Sequence, residues 1–271
     1  MRNFEITKAE RVASKLRMFL VGTSGTGKTW TSLALGAGLK NGGRMVLIDT
    51  ERGSAKLYDE EHDFDTVQFD APYVPSELNA LANDLAKKYD VVIVDSLSHF
   101  WEGQGGFLEM HDMETRRRHD KNSFAAWGEV TPKYNNFIQS LLVLPCHLIL
   151  CVRAKTVYEV EQEEGKKSKI RAKGAAPKFR PESEYEADIV GYLDLDHYMR
   201  IDKTRIHFLA DQVVHKPGKE LGQKIRDWLR SGKKKAAKPK EVLAEPEPGE
   251  VSLPDDLGQF VIRVGSFKGR V

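Results

Sequence analysis

The chain has 271 residues, with 42 Lys and Arg against 40 Asp and Glu, for a formal net charge of +2. That balance provides no global attraction to nucleic acid, so any such attraction has to be local. Charged residues make up 30% of the chain and no apolar run approaches the ~18 residues that cross a bilayer, so the expectation is a soluble, cytoplasmic protein with no membrane contact.

The start of the chain has no signal-peptide pattern, because Arg2, Glu5, Lys8, Glu10 and Arg11 interrupt every apolar stretch. The length suits one α/β domain over residues 1–231, with a core at about 15–209. Leu16 to Val21 is the first apolar run and the first predicted strand. It leads directly into Gly22-Thr23-Ser24-Gly25-Thr26-Gly27-Lys28-Thr29, which fits G-x-x-x-x-G-K-[ST]. A nucleotide's phosphates need several backbone N–H groups converging on them, and glycines let the chain curl that tightly. Lys28 is expected at the β- and γ-phosphates and the Thr29 hydroxyl on Mg²⁺. Thr29 to Leu39 has helical spacing, which places the phosphates at a helix N-terminus.

A second strand is predicted at Arg44 to Ile48, ending in Asp49-Thr50-Glu51, and a helix at Ser76 to Tyr89 after Pro75. Val91 to Val94 is the third strand, closed by Asp95-Ser96; its carboxylate is expected to support the nucleotide's Mg²⁺. His111 and His119 flank Arg116 to Arg118 in a segment read as an exposed helix or a DNA-facing loop, and Trp101 and Trp127 read as core anchors or interface residues. The histidines have no metal-ligand spacing.

Glu129 to Leu144 is a further helix and His147 to Val152 a fourth strand, ending Arg153-Ala154-Lys155. Cys146 and Cys151 lack C-x-x-C spacing and read as small core residues in a reducing compartment. Near-continuous apolar strands alternating with helices predict an α/β fold whose mostly parallel sheet is covered on both faces.

Tyr158 to Pro181 is poor in apolar residues and is expected to be a mobile loop. Its Lys166, Lys167, Lys169, Arg171, Lys173, Lys178 and Arg180 suit the phosphates of a single strand, and Tyr158 and Phe179 are candidate stacking rings. Strands are predicted again at Ala187 to Leu195, Tyr198 to Ile201 and Arg205 to Leu209, with a turn at Asp202-Lys203-Thr204. A short helix follows at Gly222 to Leu229. Residues 232–250 are a linker by composition, and 251–271 read as a short β-like segment.

The order of these motifs, over Lys15 to Leu209, resembles that of the RecA/RadA P-loop ATPases. The Asp95-Ser96-Leu97-Ser98-His99-Phe100-Trp101 run and the Arg153-x-Lys155 strand end look like the small RecA-like ATPases of bacteriophages. The resemblance implies ATP as the nucleotide, Glu51 as the general base for the attacking water, and Arg153 as a γ-phosphate sensor where RecA has glutamine. It also implies that Lys203 and Arg205 reach a neighbouring subunit's site. Single-stranded DNA, self-assembly into a ring or filament, and a phage single-strand-binding protein are the partners implied, with annealing or recombination of phage DNA as the task. A hexameric helicase-type motor and a non-hydrolysing, nucleotide-switched mediator remain open as alternatives.

Overall fold

Strands buried on both faces need apolar side chains at every position, and the near-continuous apolar runs form the centre of one sheet. A computed structural model describes residues 8, 12–161, 169–180 and 183–232, all within a single unit, Met1–Lys234. Residues 233–271, which hold nearly all of the predicted linker and the whole terminal segment, lie outside the described residues.

The strands are β1 (Arg17–Gly22), β2 (Met45–Asp49), β3 (Asp65–Gln68), β4 (Val91–Asp95), β5 (His147–Glu161), β6 (Lys169–Pro177), β7 (Ile189–Leu193), β8 (Tyr198–Thr204) and β9 (Val213–His215). Their order is β3-β2-β4-β5-β1-β7-β8-β9, parallel from β3 to β7 and antiparallel beyond it, with β6 paired antiparallel to the outer half of β5. The helices are α1 (Lys28–Leu39), α2 (Pro75–Ala86), α3 (Ser98–Glu102), α4 (Phe107–Arg117), α5 (Ser123–Leu142) and α6 (Lys219–Arg230).

Strand alternation divides the core into two layers. Phe19 and Val21 of β1 and Val92 and Val94 of β4 face α2 to α5, whereas Met18, Leu20, Val91 and Ile93 face α1 and α6. On the second side α1 and α6 touch backbone to backbone. A Cβ on Gly38 would lie 2.1 Å from the Lys219 carbonyl oxygen, and one on Gly222 would lie 2.2 Å from that of Leu35. Arg17 secures the other side. Its guanidinium donates to the carbonyls of Leu16, Leu142, Leu144 and Cys146, tying the end of α5 to the start of β1. Beside it, buried His147 accepts from the Leu16 N–H at 3.0 Å; burial and nearby Lys15 push its pKa down to about 3, so the ring stays neutral.

Several elements differ from the sequence reading. The expected mobile loop at 158–181 is largely an antiparallel hairpin, because β5 continues to Glu161 and β6 returns beside it. Asp202 to Thr204 is not a turn but the end of β8, and Arg205 to Leu209 contains a 3₁₀ turn at His207–Leu209 instead of a strand. The helix expected at Glu129 starts at Ser123, where the Asn122 side chain accepts from the Ala125 N–H at 3.1 Å and caps it.

The α1–α6 contact is testable by equilibrium denaturation. Gly222→Ala is expected to cost about 1–3 kcal/mol through forced separation of the two helices. Gly128→Ala is exposed in α5 with nothing within 4 Å, and is expected to gain about 0.5–1 kcal/mol.

Candidate active site

Parallel strands put all their C-terminal ends on one edge, and the ends of β1, β2, β4 and β5 meet there. In register, Gly22 lies beside Arg153, Asp49 beside Asp95, and Asp95 beside Cys151. The loop Gly22 to Thr29 curls over this edge. Gly25 (φ 85°) and Gly27 (φ 81°) hold left-handed backbone, and a Cβ on Gly22 would lie 2.4 Å from the Thr26 hydroxyl. Thr26 in turn donates to the Thr23 carbonyl at 2.9 Å, as does the Lys28 ammonium at 2.8 Å. α1 starts with no side-chain cap and no acid in its first turn, leaving its N–H groups and positive dipole end open to an anion.

Thr29 donates to Asp95 Oδ2 at 2.5 Å. Asp95 is 3% exposed, and its Oδ1 is buried without a hydrogen-bond partner. Burial pushes its pKa up to about 6; the Thr29 hydrogen bond opposes this and the charge of Glu51 adds to it. A buried carboxylate with one unpartnered oxygen, set against a threonine hydroxyl, is a donor set that fits Mg²⁺. Among the described residues there is no cluster of three His, Cys, Asp or Glu suited to a metal.

The end of β2 assigns its two acids different tasks. Asp49 accepts from the Glu51 N–H at 2.6 Å and the Ala55 N–H at 3.2 Å, so it is the turn's internal cap. Glu51 points into the cavity, where Arg153 Nε donates to it at 2.9 Å. Between them, Thr50 Oγ1 accepts from the Ser96 N–H at 2.7 Å and lies 2.7 Å from His99 Nδ1, and the His99 ring stacks on Tyr73 at 4.8 Å. The cavity measures about 680 Å³ and is lined by the loop, Glu51, Arg153, Lys178 and the rings of Trp30, Tyr58 and His197.

The structure brings together Gly22 to Thr29, Glu51, Asp95 and Arg153. It adds groups the sequence reading missed. Trp30 follows directly on Lys28-Thr29, a position that was available as a signal. His197 had none, since only the β1–β7 pairing carries it to the loop, where it donates to the Thr26 carbonyl at 3.2 Å.

The basic segment divides. Lys166 and Lys167 lie outside the described residues, and Lys169, Arg171 and Lys173 occupy alternate positions of β6, with Glu161 and Glu159 opposite Lys169 and Arg171 in register. Lys178 lines the nucleotide cavity and pairs with Glu102 at 3.1 Å. Arg180 lies over Trp127 and Tyr134. Phe179 is a core residue, 6% exposed and packed on Phe19, so it offers no ring to a base; the side chain of Tyr158 lies outside the described residues. Lys203 and Arg205 are at the opposite end of the sheet from the loop, because Thr204 pairs with Ile189 at the start of β7. Lys203 donates to the Tyr185 carbonyl and Arg205 pairs with Asp188 at 3.3 Å, and neither reaches this chain's own cavity. His111 is buried, stacked on Trp127 at 4.3 Å, in a segment the sequence reading treated as exposed.

A family profile described as an AAA domain matches residues 14–219. The chain belongs to that family. It is a P-loop ATPase domain, and no curated protein matches it. The match spans every strand from β1 to β9 and each residue of the cavity named above. Among the described residues no helix is long and apolar enough to cross a membrane.

Two outcomes follow from this geometry. Lys28→Ala is expected to abolish nucleotide binding or turnover, measured by calorimetry and phosphate release. The second concerns Asp95, which keeps its proton to about pH 6 in the folded chain against 3.8 in the reference state, so stability falls as pH rises between those values. Without divalent cations, Asp95→Asn is therefore expected to stabilise the protein by up to about 3 kcal/mol at neutral pH and by nothing below about pH 4. With nucleotide present, added Mg²⁺ should raise the melting temperature of the wild type more than that of Asp95→Asn.

Proposed function

We propose that this domain is an Mg²⁺-dependent ATPase that works on single-stranded DNA as an oligomer and assists annealing or recombination, as the RecA-like phage ATPases it resembles do. One observation carries the reading: β5 continues from Arg153 at the nucleotide cavity, with one register shift at Val157/Tyr158, into the hairpin whose other strand bears Lys169, Arg171 and Lys173. In this reading a change at Arg153 reaches the basic hairpin through the strand that both share, a coupling the oligonucleotide-stimulation test below probes.

In this mechanism the phosphates lie on the loop's N–H groups with Lys28 against them; Thr29 and Asp95 would hold Mg²⁺, which when bound would supply positive charge to the phosphate oxygens. Glu51 orients a water and takes its proton as the water oxygen bonds to the γ-phosphorus; the bond to the bridging oxygen breaks and its electrons go to the β-phosphate. Arg153 starts paired with Glu51, so an arriving γ-phosphate competes for the guanidinium and releases the carboxylate for this work. The pair is thus both sensor and latch.

Oligomerisation belongs to the same proposal, with Lys203 and Arg205 as cations offered to a neighbour. That role requires each to leave its present contacts.

Steady-state ATP hydrolysis with and without a single-stranded oligonucleotide tests the reading. Stimulation by the oligonucleotide is expected, and its absence in an actively hydrolysing wild type would remove DNA from the function. Glu51→Gln should retain nucleotide binding, read from quenching of Trp30, and lose turnover by about 10²-fold or more. Full turnover would exclude Glu51 as the base. Arg153→Ala is expected to keep basal binding and lose the stimulation.

A further inference from the structure

Beside the base of the β5–β6 hairpin is a second concavity, separate from the nucleotide cavity and of about 740 Å³. Its walls are Trp101, Phe124, Trp127, Pro132 and Arg180. We infer that this groove is a base-stacking subsite for single-stranded DNA, an inference that rests on the DNA reading above and extends it to a particular surface.

Three features of the groove favour this occupant. The first is rigidity. Trp127 is stacked between neighbours, with Trp101 at 5.8 Å and His111 at 4.3 Å, and the Arg180 guanidinium lies over it at 5.7 Å and donates to Thr131 at 3.1 Å. A wall already held in place loses little rotamer freedom when a flat ring lies against it.

The second feature is Phe124, at 89% exposure the most open of the large apolar side chains described. It stands three residues before Trp127, one turn away on the same side of α5. It packs into no core, and an exposed ring beside a groove of fixed rings is a platform in need of a planar partner.

The third feature is charge. Arg116, Arg117, Arg118 and Lys121 lie in the few residues before Phe124, and only Arg118 among them has an ion-pair partner, Asp120 at 3.3 Å. Arg180 closes the groove on the side where the basic β6 ends. Rings with one cation, Arg180, in the groove wall and others in the chain segment just before Phe124 match a polymer with π-faces and regular negative charge.

The groove is also wired to the nucleotide cavity. α3 carries Trp101 into the groove wall; its Ser98 accepts from the Arg153 N–H at 2.9 Å and its Glu102 holds Lys178 at 3.1 Å. A base seated on the groove thus presses on the helix that braces the Glu51–Arg153 latch.

The test compares the full-length protein's affinity for a thymidine oligonucleotide of about 20 nucleotides with that for an abasic oligomer of the same length and charge, across a salt series. The wild type is expected to prefer the base-bearing strand by about tenfold or more. Phe124→Ala, which removes only an exposed ring, should bring that preference close to parity and leave the salt slope unchanged. Replacing Lys169, Arg171 and Lys173 by Gln should flatten the slope and keep the preference. Equal affinity of the wild type for both polymers, or an unchanged preference in Phe124→Ala, would overturn the stacking subsite while leaving the DNA reading intact, and would assign the groove to another partner such as an acidic peptide. Failure of the wild type to bind either polymer at low salt would overturn both.

Discussion

The hydrogen bond from Thr29 to Asp95 is the contact on which the rest of the site depends. It joins the loop after β1 to the end of β4, two strands that are not neighbours, since β5 lies between them. The bond can form only if three parallel strands end level, which requires Gly22, Arg153, Cys151 and Asp95 to keep their register. That register is enforced by side chains buried on both faces, where a slip of one residue would exchange the two core layers. The carboxylate is held at a cost, in surroundings that resist its charge, and the one oxygen left without a partner marks where a cation relieves that cost.

This dependence explains which parts were legible in the sequence. β1, β2 and β4 announce themselves because their interiors are buried and apolar at successive positions, and the chemistry at their ends is contiguous with them: Gly22 to Thr29, Glu51 and Asp95. β5 is legible only for its first half. Past Val152 it leaves the covered sheet, the apolar run stops, and the strand is sustained by pairing with β6, a long-range contact that no local composition reports. Edge strands β3 and β9 are short and only partly buried, so they carry almost no periodic signal.

The misplacements follow the same logic. Phe179 and Lys178 belong to a segment whose charge suggested an exposed loop, yet the chain returns there to the sheet, with the Lys178 N–H donating to the Arg153 carbonyl at 2.7 Å, so Phe179 enters the core and Lys178 the nucleotide cavity. His197 and Tyr58 reach the cavity through sheet order and a 3₁₀ turn, not through spacing. The Thr50–Ser96–His99 cluster is similar: two adjacent strand ends exchange hydrogen bonds that neither strand predicts alone. The predicted turn at Asp202 to Thr204 is instead the end of β8, whose antiparallel return sets these residues at the end of the sheet opposite the phosphate loop.

Under the proposed function, coupling between the two concavities would need no moving part beyond those already bonded. Glu51 is an acceptor with one strong donor, Arg153, and Arg153 has two further bonds: its N–H to Ser98 and its carbonyl from the Lys178 N–H. The nucleotide cavity, α3 and the chain that leads into Arg180 therefore share one residue. A guanidinium cannot serve a carboxylate and a phosphate equally well at the same time, so the proposed function calls for two states, the paired one seen here and one with Glu51 released. In the proposed function the prevailing state would be set by the difference in affinity that each ligand has for the two, and by linkage a DNA strand that favoured release would raise affinity for the nucleotide's γ-phosphate by the same factor. With Trp101 and Ser98 on one five-residue helix, the proposed reciprocity would be a local matter of α3 shifting against β5, with no need for a path across the core.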